Sequence, residues 1–421
     1  MKNPNDDSFQ GEIIKKYRKE KKMTQAQLAH GIVSVSYLSK IEKGISKPSK
    51  EIQQQLIKKL NISSTISFEN LELICKKWFE HLLRGEITEA TNYFNTHINN
   101  KDEFLLSSYK HLIDLHKISL YVQCKDFSMA SKQIESSRKD KRNYNQVEMY
   151  YWHKFTADYC FYNNFFQDSL NLYLDAKEFI GSSLLINNEE ENDLYYLVSL
   201  AASKIGNTHI ILTYAQIALN YYKDIYVFKR MAECHVLLGI GYRGAGNLDK
   251  SKSNYDSALK LANFRNDSYI KEICYQNLGK LSEEMNNTDK AIHYYKKSYD
   301  LSNNKIDKLI SISSLMKLFY KLYDTKQTKE WLNKGIALSA GISPEESVYV
   351  FEFKVYKYLL NGQEQELELY VSQTVLPHLE QKQIHGEIYH FSNLMADYYF
   401  TQRKYKPAAM YYKKALIHKQ T

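Results

Sequence analysis

LGIGYRGAGNLDKSKSNYDSA at residues 238–258 is followed, 40 positions on, by LGKLSEEMNNTDKAIHYYKKS at residues 278–298. The homologous sites repeat in kind: Leu238-Gly239 and Leu278-Gly279, Gly246-Asn247 and Asn286-Asn287, Ser251 and Ala291, Tyr255 and Tyr295, Ala258 and Ser298. Small residues let paired helices approach closely while an aromatic ring fills the gap. One such pair cannot bury its apolar face alone, so the period calls for a stacked array. Composition agrees. The 421 residues include only 15 Gly and 5 Pro, against roughly 12% expected of average chains, which disfavours an all-β or linker-rich protein.

The pattern of small residue, aromatic, small, aromatic, small resembles the tetratricopeptide repeat. Ala396, Tyr399, Ala408, Tyr412 and Ala415 form its last unit, and weaker units follow the same offsets from Trp78, Gly85, Ala90 and Phe94 onward. The resemblance implies an all-α chain with about nine helical hairpins, stacked as a right-handed superhelix with a concave wall. Much of the tyrosine excess, 36 residues, falls at helix-packing positions.

Charge separates a different module. Residues 1–60 carry 13 Lys and Arg against 6 Asp and Glu, a balance of +7 out of +9 for the whole chain. That is the footprint of a small polyanion-binding unit on a nearly neutral body. Ile13, Ile14 and Tyr17 share one helical face there. Thr24 with Gln27 makes a capping box for a short helix ended by Gly31, and Ser34 caps the next, closed by Gly44, with Val35, Leu38 and Ile41 inward.

Three short helices with a glycine-marked turn describe a helix-turn-helix. The run Thr24-Gln25-Ala26-Gln27-Leu28-Ala29, then Ser36-Tyr37-Leu38-Ser39-Lys40-Ile41-Glu42-Lys43-Gly44 and Pro48-Ser49, resembles the phage-repressor type. The resemblance implies that the Ser34 to Lys43 helix enters the major groove of double-stranded DNA. Ser34, Ser36, Tyr37 and Lys40 then face bases or phosphates, Lys43 a phosphate, and Gln25 a phosphate at its helix start. Three alternatives stand: Ser34 as a cap only, Tyr37 as packing, and Arg18 as a brace for Glu42 rather than a DNA ligand.

Residues 61–70, rich in turn formers, mark a linker, giving a DNA-binding domain over 1–66 and a repeat domain over 67–421. Five dispersed cysteines form no metal knuckle or disulfide framework, and the odd count argues for a reducing compartment. The polar N-terminus lacks a signal peptide's apolar core, and no stretch has the roughly 18 apolar residues of a membrane helix. The expectation is a cytoplasmic protein with no membrane partner. No phosphate-cradling loop, metal-ligand spacing or nucleophile elbow is present, so neither an enzyme nor a cofactor or metal is expected. Offsets to the concave wall give Arg243, Gln276, Asn277, Lys280, Lys317, Tyr320 and Asn393 as peptide-binding candidates, beside His390 and Asp397. Amides that both donate and accept suit an extended peptide's main chain, while Arg or Lys takes a carboxylate.

A repressor-type module followed by such repeats resembles the peptide-responsive Rap, NprR, PlcR and PrgX regulators of Gram-positive bacteria, and most the NprR branch. The resemblance implies a quorum-sensing transcription factor, a homodimer or higher oligomer, switched by a short signalling peptide in its groove. Its alternative is a Rap-like scaffold that sequesters a phosphorelay or other regulatory protein, with DNA binding secondary.

Overall fold

The computed structural model describes residues 11, 14–15, 17–19, 21–46, 48–60, 68–99, 104, 109–180, 186–344 and 346–418. Every regular element among them is helical, and no described helix is long and apolar enough to cross a membrane. The polar N-terminal ten residues, Ile13, and residues 61–67 of the expected linker lie outside the described residues. The chain divides into two compact units, Met1–Tyr159 and Cys160–Thr421.

In the first unit, residues 14–15 and 17–19 are helical, and Gln25–Ala29, Val35–Glu42 and Lys50–Lys59 follow. The start signals act as expected. Thr24 accepts the Gln27 N–H at 3.1 Å while the Gln27 side chain accepts the Thr24 N–H at 2.8 Å, so the capping box satisfies donors at both ends. Ser34 and Ser49 cap their helices by accepting from Tyr37 and Ile52. Ile14, Leu28, Ala29, Leu38, Ile41, Leu56 and Leu60 form one core.

Two features of this module differ from the sequence reading. A fourth helix, Lys50–Lys59, which the three-helix reading omitted, starts at the Ser49 cap and supplies Leu56 to the core. Val35, expected inward, is 45% exposed. At 100° per residue the arc through Leu38, Ile41 and Glu42 leaves Val35 on its rim. Glu42 occupies the inward position because a basic side chain meets it there.

Two helix pairs complete most of this unit, Phe68–Leu83 with Ile87–His97 and Lys110–Gln123 with Phe127–Arg138, before the helix Gln146–Tyr162. Trp78 is fully buried, its ring 4.9 Å from Phe94. The second unit runs through Phe166–Lys177, then Asn188–Ile205 with Thr208–Asp224, Phe228–Gly244 with Leu248–Phe264, and Ser268–Glu284 with Thr288–Leu301. Lys305–Lys321 with Thr325–Leu338, Tyr349–Asn361 with Glu364–Tyr370 and its continuation to Gln381, and His385–Thr401 with Tyr405–His418 follow. In chain order these make nine successive pairs among the described residues.

The geometry explains the 40-residue period. A Cβ on Gly239 would lie 2.3 Å from the Tyr255 ring, and one on Gly279 2.4 Å from the Tyr295 ring. Only glycine admits the ring there. Ser251, wholly buried, donates to the Gly239 carbonyl at 2.8 Å. At the turns Gly246 (φ 73°) and Asn286 (φ 55°) take the left-handed conformation, which glycine and asparagine tolerate best. The following Asn247 and Asn287 cap the second helices. Cys234 and Cys274, one period apart, are fully buried, and burial pushes both thiols up to about 12.

Candidate functional site

In the helix-turn-helix, Glu42 is the pivot. Its side chain is 1% exposed and takes Arg18 Nε at 2.6 Å, while Arg18 Nη2 donates to its second oxygen at 2.8 Å. Gln25 Nε2 donates to that same oxygen at 2.8 Å, and Arg18 Nη1 bonds the Met23 carbonyl at 2.9 Å. Burial pushes the Glu42 carboxyl up, but the bonds from Arg18 and Gln25 and the charges of Arg18 and Lys15 carry it below its ordinary value. Arg18 and Gln25 therefore face inward and tie the Val35–Glu42 helix to the helices before it.

The outward set is what remains. Ser34, Ser36, Lys40 and Lys43 are exposed, and Tyr37 is half-buried against the core. The Ser34 hydroxyl accepts the Tyr37 N–H and lies 3.2 Å from the Ser36 hydroxyl. These side chains share the start and one flank of a single helix, where a duplex groove could receive them.

The second unit holds a cavity of about 710 Å³, a size typical of ligand sites. Lys280, Lys317 and Tyr320 line it, together with Tyr356, Leu360 and His390. Arg243, Gln276, Asn277 and Asn393 are not in its lining. Gln276 is buried, with Nε2 donating to Ser314 at 2.8 Å and its carbonyl accepting from Ser311 at 3.1 Å. Asn277 donates to the Ile273 carbonyl at 2.9 Å. Arg243 pairs with Glu284 at 2.6 Å. Asn393 is half-buried on the last hairpin.

One central group escaped the sequence reading. Glu352, 1% exposed, accepts from Lys317 at 2.7 Å and from Ser313, and His390 Nε2 stands 3.7 Å away. Burial pushes its carboxyl up, but Lys317 and His390 beside it, with bonds from Lys317 and Ser313, bring it below its ordinary value. Burial, then the charge of Lys317, push His390 down to about 4, against the opposing pull of Glu352. Glu352 and Tyr356 lie in the eighth hairpin, whose repeat signature is the poorest because its second helix is broken into Glu364–Tyr370, a wider turn at Val371–Val375, and Leu376–Gln381. The available signal was a single acid within the apolar run from Tyr349 to Leu360.

Comparison with known proteins follows these two regions. The helix-turn-helix family model matches residues 14–67, and the tetratricopeptide repeat model residues 230–304. The chain is 29% identical over 396 residues to the transcriptional activator NprA of Geobacillus stearothermophilus, covering 92% of this chain and 97% of that protein. It is 23% identical over 301 residues to response regulator aspartate phosphatase E of Bacillus subtilis (strain 168), covering 68% of this chain and 79% of that one. Its fold is similar to the crystal structure of NprR in complex with its cognate peptide NprX, with a TM-score of 0.64 at 16% identity, over 83% of this chain and 98% of that one. With a helix-turn-helix ahead of its tetratricopeptide-like repeats, the chain resembles the Rap and NprR regulators, and of these the NprR branch.

Proposed function

We propose that this chain is a quorum-sensing transcriptional regulator, binding double-stranded operator DNA through residues 1–66 and a short signalling peptide through residues 67–421. The observation that carries the reading is the similarity to a transcriptional activator over 92% of the chain, too much to be confined to either the helix-turn-helix or the repeats. Ser34, Ser36 and Tyr37 approach base edges while Lys40 and Lys43, compact point charges, hold phosphates. Arg18 and Gln25 act behind them, through Glu42, by fixing the reading helix.

In the groove Asn277, with its amide N–H already given to Ile273, offers its carbonyl oxygen to a peptide N–H. Gln276, held by Ser311 and Ser314, stiffens the wall beside it. Lys280, Lys317 and Tyr320 contact the ligand in the cavity, and Arg243 and Asn393 flank it. The regulator is a homodimer or higher oligomer in the cytoplasm, binding rather than catalysing. Peptide binding shifts the population between assemblies, and with it the spacing of two DNA modules on two half-sites.

A mobility shift with DNA from upstream of the chain's own gene tests this reading. Wild type retards the fragment and Lys40→Ala does so several-fold less well. Equal retardation by both would remove the reading helix from the account. The similarity to the phosphatase favours one second reading, a scaffold whose repeats sequester a phosphorelay protein, and that outcome would point to it.

A further inference from the structure

Three successive first helices, Phe228–Gly244, Ser268–Glu284 and Lys305–Lys321, carry Arg243, Lys280 and Lys317. Arg243 has Glu284 at 2.6 Å and Lys317 has Glu352 at 2.7 Å. Lys280, between them in sequence, makes no hydrogen bond or ion pair with any described residue. It is half-buried, lines the cavity, and feels Arg243, Lys317 and Lys204 as like charges against Glu387, the one opposite charge acting on it, with which it makes no ion pair. Burial, then Arg243 and Lys317, push its ammonium down to about 8. A cation withdrawn from water without a counter-charge is costly.

The acids of the same cavity are already engaged. Glu283 accepts from the Tyr295 hydroxyl, and Asp397 from the Tyr412 hydroxyl at 2.5 Å. In the same lining, Tyr320 meets Tyr356 edge to face at 5.1 Å, and Leu360 and Leu394 add further apolar surface. A cation with vacant donors thus shares one cavity with an apolar surface.

We infer that a carboxylate of the bound peptide seats on Lys280, with the apolar side chain next to it packed against Tyr320, Tyr356, Leu360 and Leu394. The inference rests on the peptide-groove reading and narrows it to a peptide whose C-terminal carboxylate, or whose Asp or Glu side chain, adjoins an apolar residue.

The test uses the full chain and a pool of randomised synthetic heptapeptides with free C-termini, retained members being identified by mass spectrometry and measured by calorimetry. The retained peptides are expected to weaken at least about tenfold either on C-terminal amidation or on replacement of Asp or Glu by the amide, whichever identifies the carboxylate. Lys280→Met should weaken them equally, with no further loss when both changes are combined, and Lys280→Arg should bind within a few-fold of wild type. Peptides that bind Lys280→Met as wild type but fail on Leu394→Trp would overturn the carboxylate seat and leave the groove reading standing. A pool from which nothing is retained would overturn both.

Discussion

Arg18 grips both carboxylate oxygens of Glu42, Nε to one at 2.6 Å and Nη2 to the other at 2.8 Å. Removing the guanidinium leaves a buried carboxylate without its charge partner, which costs about 3–5 kcal/mol. Arg18→Ala should therefore accelerate amide hydrogen exchange across Val35–Glu42 and abolish DNA binding, whereas Lys40→Ala should leave exchange unchanged. Exchange in Arg18→Ala equal to wild type would show that the pair does not hold the helix.

The same pair sets a pH dependence. Glu42 titrates below its ordinary 4.5 in the folded chain, so the unfolded chain binds the proton more readily. The stabilisation is complete above the unfolded value and is lost as pH falls through the folded one. Exchange of the Val35–Glu42 amides should be flat with respect to opening free energy near neutrality and rise on acidification below the ordinary carboxylate range. Glu42→Gln should lack that rise.

A methyl group on Gly279 would stand 2.4 Å from the Tyr295 ring. Alanine improves helix propensity by about 0.8–1 kcal/mol, but overpacking costs typically about 1–3 kcal/mol, and the ring is buried and rigid. Gly279→Ala should lower the melting temperature, and Tyr295→Leu in the same chain should restore part of the loss. A rise in melting temperature for Gly279→Ala alone would contradict the packing account of the repeat.

These cases mark what the sequence could reveal. Gly239 with Tyr255 and Gly279 with Tyr295 recur because each ring needs a missing Cβ, so the hairpins and their period were legible. The capping box at Thr24 and Gln27 was equally legible, being a local exchange of hydrogen bonds. The Glu352 cluster was not. It joins Ser313 and Lys317 from one hairpin and His390 from another to Glu352 on a third, and that third hairpin departs from the repeat pattern, so no local spacing brings those residues together. Val35 was misread because a helical period gives the buried arc but not its edges. The outward direction of Lys40 followed from the helix alone.

Lys280 predicts an opposition between stability and binding. Its folded value of about 8 lies below the ordinary 10.5, so below about pH 8 the folded chain bears the burden of a poorly solvated charge, easing as pH rises from about 8 towards 10.5. Arg243, Lys317, Lys204 and Glu387 are the charged groups acting on it. With allowance for its partial exposure, Lys280→Met should stabilise the chain by about 1 kcal/mol at neutral pH while weakening peptide binding. Thermal unfolding at pH 7 and pH 10 checks this, and a melting temperature lowered by Lys280→Met at pH 7 would refute it.

The central claim is that the Val35–Glu42 helix reads DNA. Fluorescence anisotropy of a labelled upstream fragment, titrated with the full chain across a salt series, tests it most directly. The account predicts salt-sensitive binding that Lys40→Ala weakens several-fold at low salt, with the slope of log affinity against log salt reduced by about one phosphate contact. Affinity and slope unchanged by Lys40→Ala would contradict it.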